Sequence, residues 1–310
     1  MSKPAPQADS PRTTTSVPVV AQPHFPGWLM GVLLVLMTVL AYRPAWHAGF
    51  LWDDDRHVTK NPQLVAPDGL KQIWTSRDSP QYYPLVWTSF RVERALWGFN
   101  PTGYHWVNIL LHAASSVLVW RALRRLGLPG AWLAGVLFAL HPVNVESVAW
   151  ISQRKNTLAM VFYLLSLLWF LRYDSAPARP GNGLSPSASI AQPVFYCLSL
   201  LAFVCALLSK TAVAPLPLVL LGLAWWRRGR VTVRDGWRVA PFFITALLLS
   251  LATIWFENHQ NQMQVVRDDS FLSRLACAGW AIWFYLYEAL LPLHLIPIYP
   301  RWQVDAANMW

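Results

Sequence analysis

What most constrains this chain is a series of long apolar runs separated by short charged connectors. The first, GWLMGVLLVLMTVLAY (27–42), carries no charged residue at all. Runs of this kind approach the ~20 apolar residues that an α-helix needs to cross a bilayer. Candidate spans lie near 27–45, 104–122, 130–148, 156–173, 194–209, 211–226, 239–256 and 271–290. Pro215 and Pro217 in TAVAPLPLVLL (211–221) should break the sixth, which a membrane tolerates where neighbours or a cavity satisfy the freed backbone. Composition agrees: 55% of residues are hydrophobic and 13% charged, where a soluble domain carries ~25% charged. The expected fold class is an all-α polytopic membrane protein with about eight spans.

A net charge of +10 raises nucleic acid as a partner, but its distribution argues against that. Arginines collect beside apolar runs, as in WRALRRLG (120–127) and WWRRGRVTVRDGWR (225–238). Positive charge of this kind orients membrane proteins by staying in the cytoplasm. With a cytoplasmic N-terminus, the inner segments 1–26, 121–130, 172–193 and 227–238 hold twelve Lys/Arg and three Asp/Glu. The outer segments 46–103, 141–155, 209–211 and 257–270 hold ten of each. Residues 1–26, rich in Pro, Ser and Thr, are expected to be a disordered cytoplasmic tail, and 174–193 a low-complexity cytoplasmic linker. The membrane domain runs over 27–302, and 303–310 form a C-terminal end. Cys197, Cys205 and Cys277 sit within apolar runs without metal-ligand spacing, so neither a disulfide framework nor a metal cluster is expected.

The first outer loop, 46–103, is 58 residues long, more than a connector needs. Its segment PLVWTSFRVERALWGF (84–99) reads as an interfacial amphipathic helix. Trp87, Phe90 and Trp97 would rest among headgroups while Arg91, Glu93 and Arg94 reach water. The loop opens on FLWDDDRHVTKNP (50–62). Three consecutive acids usually mark a solvated loop or a helix cap. Here Asp53, Asp54 and Asp55 follow directly on a span, with Phe50 and Trp52 as anchors, so a carboxylate could act as a base at the lipid boundary.

Other polar groups fall on the same face. LHPVNVESVAWISQRKN (140–156) carries His141, Glu146, Arg154 and Lys155. An adjacent Arg and Lys at a membrane surface suit a phosphate, the plain alternative being a polar turn with an Arg154–Glu146 bridge. Lys210 ends a span beside the broken helix, where a lone Lys ordinarily snorkels but a lipid-phosphate contact is also open. His105, Asn108 and His112 enter a span as a helical stripe of the sort that more often bonds between helices than catalyses. Acids on one element and cations on others fit group transfer from a phosphate-linked lipid carrier.

The stretches WDDD…NP, YYPLVWTSF, GFNPTGYHWVNILLH, LFALHPVNVESVAWISQRKNTLA, LLSKTAVAPLPLVLL and RLACAGWAIWFYLYEALLPLHLIPIYP occur in this order. Together, over 45–302, they resemble the membrane region of bacterial tetratricopeptide-repeat membrane proteins. Those are similar to the transmembrane and tetratricopeptide-repeat-containing O-mannosyltransferases. The resemblance implies a GT-C-like helical bundle of the cell inner membrane, a polyprenyl-phosphate-linked sugar donor and a protein or glycan acceptor. It also implies a catalytic Asp in the first outer loop, matched here by Asp53 and Asp54 without choosing between them. Arg154, Lys155 and Lys210 are the candidates for the donor phosphate, with His141, Glu146 and His105 supporting. No cofactor is predicted and the need for a divalent metal is left open. Thr211 stands where the family commonly has Glu or Pro after Ser-Lys. Family members continue into further spans and repeats, so a fragment, a short relative, or a partner of a separate repeat protein is expected. The competing functions are a transporter or flippase of lipid-linked sugar, and a catalytically silent membrane scaffold.

Overall fold

Helix follows the apolar runs. The computed structural model describes residues 26–76, 81–175, 186–257 and 270–293, together with 295, 296, 299 and 302; side chains of 186–191 are not among these. Residues 1–25 of the expected tail, half of the 174–193 linker (176–185) and the end at 303–310 lie outside the described residues. Within that linker, helix already begins at Pro186.

The helices in chain order are α1 (Gly27–Ala41), α2 (Gly69–Thr75), α3 (Pro84–Trp97), α4 (Pro101–Arg125), α5 (Ala131–Leu140), α6 (Val145–Ala149), α7 (Arg154–Asp174), α8 (Pro186–Ser209), α9 (Leu216–Arg228), α10 (Val233–Glu257) and α11 (Phe271–Leu290). Among the described residues there is no strand. Local chemistry sets several boundaries. Asn100 caps α4 by accepting the Thr102 N–H at 3.1 Å, with Pro101 at the first helical position. At the end of α3, Gly98 takes φ 59°, a conformation open to glycine at little cost.

Among the described residues four helices are long and apolar enough to cross a membrane: Pro101–Arg125, Ile151–Asp174, Gln192–Ser209 and Val233–Glu257. The pair Ala131–Leu140 and Pro142–Ala149, bent by 50°, makes a fifth if counted as one broken span. The break lies at Pro142, which has no N–H to continue the helix. Three of the eight expected spans differ from this pattern. α1 is 15 residues long, α9 is 13 because the chain first makes a 3₁₀ turn at Thr211–Val213, and α11 is aromatic-rich and carries Arg274 and Glu288. The chain is an all-helical, multi-pass membrane protein.

α4 and α7 form the centre. α4 packs on α1, α5 and α7, and α7 packs on α8. Gly135 of α5 lets that helix approach α4 closely, since a Cβ there would stand 3.0 Å from Trp120. Phe170, Phe203, Leu207, Leu216 and Phe242 fill the core between α7, α8, α9 and α10. The Ser199 hydroxyl donates to the Ser166 carbonyl at 2.8 Å across α7 and α8, a polar tie of the kind that holds helices together in lipid. Burial falls outward: 44% of the apolar window of α4 is covered by protein but only 22% of that of α10. The remaining apolar surface of α10 is what lipid would cover.

Polar side chains gather at the two ends of this bundle. One end joins the loop after α1 to the starts of α4 and α7 and the end of α8. At the other, Asp174 of α7 lies 3.2 Å from Arg228, 3.2 Å from Arg238 and 3.5 Å from Arg227.

Candidate functional site

The acidic run sits at the first of these ends, held by aromatic side chains. Phe50 meets Tyr104 edge-on at 5.7 Å, and Trp52 stacks on Trp150 at 6.0 Å. Trp52 has φ 49°, in the left-handed region. For a bulky residue that costs on the order of 1 kcal/mol, which surrounding contacts must offset. Stacking on Trp150 is one such contact, and the Trp150 indole N–H donates to the Leu51 carbonyl at 3.2 Å as another.

The three acids then part company. Asp54 is fully buried. One of its oxygens accepts the Leu51 N–H at 2.9 Å, the other the Ser152 N–H at 2.8 Å. It staples the loop to the segment before α7, and burial pushes its carboxyl above the usual range despite the two backbone donors. Asp55 pairs with Lys60 at 2.7 Å and accepts the Thr59 hydroxyl at 2.7 Å, which hold its carboxyl below the usual range. Asp53 is exposed, and its carboxylate makes no hydrogen bond among the described residues. Its carbonyl instead accepts both the His57 backbone N–H at 3.0 Å and the ring Nδ1–H at 2.8 Å. His57, stacked on Trp87 at 4.9 Å, thereby fixes the backbone beneath Asp53.

Arg154 corrects two expectations at once. It is wholly buried, and its guanidinium forks onto both oxygens of Glu93. It also donates to Asn108 Oδ1 at 2.5 Å and the Tyr104 carbonyl at 3.0 Å. No face is left for a phosphate, and its acid partner is Glu93 rather than Glu146. The pair ties α3, α4 and α7 together. α3 itself is turned the other way from the expected interfacial helix. Trp87 and Phe90 pack inward on Val58, Ile73 and Ile151, while Val92 and Leu96 are exposed. Glu93 is buried, and Arg91 reaches the Gln63 and Ala66 carbonyls at 2.7 and 2.8 Å.

Lys155 and Lys210 are both half-buried at this end. The Lys155 ammonium lies 3.4 Å from Gln81 Oε1, and the charges of Asp53, Glu146 and Glu257 act on it. Lys210 donates to Asn156 Oδ1 at 2.5 Å. Asn156 donates in turn to Ser147 at 2.9 Å and Gln153 at 3.1 Å, and Gln153 donates to Glu146 at 3.1 Å. Burial and the neighbouring Lys155 charge push Lys210 below the usual lysine range.

His141 caps the turn after α5 by accepting the Val143 N–H at 3.3 Å. His105 is buried, with its Nε2 3.4 Å from the Gly49 carbonyl and its Nδ1 unpartnered among the described residues. Asn108 and His112 bond to the Trp150 and Ala139 carbonyls at 3.0 and 3.1 Å, as interhelical ties. Among the described residues no three His, Cys, Asp or Glu side chains stand together as metal ligands. Asp53, Glu146, Lys155 and Lys210 are thus brought together, while Asp54, Arg154 and His105 serve the frame beneath them. Glu257, at the end of α10, is a further acid of this end that the sequence reading did not single out.

No protein-family model and no solved structure matches this chain. Curated relatives do. Protein O-mannosyl-transferase TMTC2 of Mus musculus is 37% identical over 140 residues, 41% of this chain and 17% of that protein. Human protein O-mannosyl-transferase TMTC4 is 32% identical over 162 residues, 44% of this chain and 22% of that protein. Tmtc1 of Drosophila melanogaster is 33% identical over 150 residues, 44% of this chain and 17% of that protein. The match spans well under two thirds of each relative's own length. Over a little less than half of itself, this chain is similar to the TMTC protein O-mannosyl-transferases.

Proposed function

We propose that this chain is a membrane glycosyltransferase that moves a sugar from a polyprenyl-phosphate carrier to a hydroxyl of a protein acceptor. The observation that carries this reading is the isolation of Asp53. Of the three acids it alone keeps an unengaged carboxylate among the described residues, and its charge acts on the Lys155 ammonium, which lies near enough to Lys210 to act on it in turn. The names of the relatives point to mannose as the sugar and protein as the acceptor. The arginine-rich opposite end supports an N-terminus in the cytoplasm, with the Asp53 end on the periplasmic face of an inner membrane.

In the displacement, the acceptor oxygen attacks the anomeric carbon as its proton passes to the Asp53 carboxylate. The bond from that carbon to the phosphate oxygen breaks, and its electron pair leaves with the polyprenyl phosphate. Lys155 and Lys210 stabilise the charge that develops there. Asp54 acts as a positioning residue by pinning the loop to Ser152. A tetratricopeptide-repeat domain or protein would present the acceptor.

The test is transfer of labelled sugar from polyprenyl phosphate to an acceptor peptide by the purified chain in vesicles. Asp53→Asn should keep wild-type expression and lose about 10²–10⁴-fold in turnover, the usual contribution of a general base. Equal turnover of variant and wild type ends the base assignment. Labelled carrier moved across the bilayer but not consumed identifies a transporter.

A further inference from the structure

At the end of the bundle opposite Asp53, a cavity of 680 Å³ opens between α1, α4 and α7. Arg121, Arg124 and Arg125 of α4 and Arg172 of α7 line it, with Trp28 and Trp169. It adjoins a second cavity of 370 Å³, which shares Trp28, Trp120 and Arg121 with it. That second cavity runs along the apolar side chains Val32, Val35 and Leu36 of α1 and Val117 of α4. We propose that the two together bind one anionic phospholipid, its phosphate on the arginines and an acyl chain in the apolar groove.

The charge state of the four arginines is the first argument. Among the described residues none of them forms an ion pair, and no carboxylate lines the cavity. At the same end Arg227, Arg228 and Arg238 share Asp174 and Asp235, so carboxylates are available there but are used elsewhere. Arg124 is 5.8 Å from the Trp120 ring, Arg172 is 5.5 Å from the Phe195 ring, and Arg125 reaches the Leu171 carbonyl only at 3.5 Å. Most of their N–H donors therefore remain for a ligand, and planar guanidinium forks suit a phosphate.

The shape supplies the second argument. A free phosphate would use the arginines and leave the groove empty, whereas a lipid matches both. Small residues keep the wall of α1 clear. A Cβ at Gly27 would stand 3.2 Å from Arg124 Nη1, and one at Gly31 would stand 3.7 Å from Trp120. The site also lies at the ends of membrane helices, where a headgroup rests beside its own acyl chains, and basic pockets between such helices suit anionic headgroups.

Lipid retention by the purified full-length chain in neutral detergent tests this, read by native mass spectrometry. Phosphatidylglycerol should be retained at least about 10-fold better than phosphatidylcholine, because several unpaired basic residues face the anionic headgroup together. Combining Arg121→Gln, Arg124→Gln and Arg172→Gln should abolish that preference, and Arg227→Gln, at the same end but ion-paired, should keep it. Val32→Trp fills the groove from an exposed position without touching a charge, and should weaken phosphatidylglycerol while sparing the fold. The proposal is overturned by a wild type without preference, by an unchanged preference in the triple variant, or by wild-type retention in Val32→Trp. Complete displacement of the lipid by an equal concentration of inorganic phosphate would make this a phosphate site instead.

Discussion

Replacing Arg154 with Gln should unfold the protein before it affects donor binding. Arg154 supplies two bonds to Glu93, one to Asn108 and one to the Tyr104 carbonyl, all buried. The variant leaves the Glu93 carboxylate in place, 5% exposed and without its cation. Breaking a buried pair from one side costs about 3–5 kcal/mol, because the remaining charge is uncompensated. At about 2–4 °C per kcal/mol for a few hundred residues, the melting temperature should fall on the order of 10 °C. Arg154→Lys keeps the charge but loses the fork, and should fall between variant and wild type. Arg154→Met combined with Glu93→Leu removes both charges and should recover most of the loss, since a packed apolar pair often replaces an ion pair at little cost. Monodisperse protein remaining after heating, read by size-exclusion fluorescence, gives the melting point. Wild-type melting in Arg154→Gln, accompanied by a raised donor requirement, would refute the reasoning and return Arg154 to the phosphate.

Asp54→Asn keeps the shape but lets an amide face two backbone donors, so it should lower the yield of folded protein by more than Asp53→Asn does, measured by the same heating series. Lys210 loses its charge below the usual ~10.4, so apparent donor affinity should weaken earlier on the alkaline side than an ordinary lysine allows. Lys210→Arg should remove that limb from the pH profile, and an unchanged profile would separate Lys210 from the donor. For orientation, single cysteines at Lys60 and Val231, in a background without the native ones, should label oppositely with an impermeant thiol reagent; labelling of both from one side overturns the topology.

The helices were legible because a bilayer leaves little choice: an apolar run must satisfy its own backbone. What a periodic pattern omits is which apolar partner covers the apolar face. α3 shows this. Its stripe reads as a surface for headgroups, yet protein covers Trp87 and Phe90, and Glu93 is buried with them. A signal was available: Glu93 stands three residues after Phe90 and four before Trp97, inside the apolar stripe rather than opposite it. A carboxylate there requires a buried cation, and the Arg154 beside a span was the one to seek. Asp53 and Asp54 were inseparable in sequence because their difference is made by Ser152, whose N–H only the fold brings to Asp54. The span count ran ahead of the structure for a related reason. Hydropathy does not register that a chain spends part of a run turning, as it does at Thr211–Val213 before α9.

The Arg154–Glu93 tie also has a direction in time. The chain is made from its N-terminus, and Arg154 follows Glu93 by 61 residues. At ~5–20 residues per second, Glu93 waits about 3–12 s for its cation. During that interval α3 carries a charge that belongs inside the bundle, so water must attend it and α3 cannot yet dock fully. When α7 arrives, Arg154 closes the pair, and two residues earlier Ser152 offers its N–H to Asp54, 98 residues behind it. One short segment at the head of α7 therefore completes the buried frame and the acidic loop in the same event. Until that segment is threaded, Asp54 and Glu93 lack the partners among which the finished fold buries them.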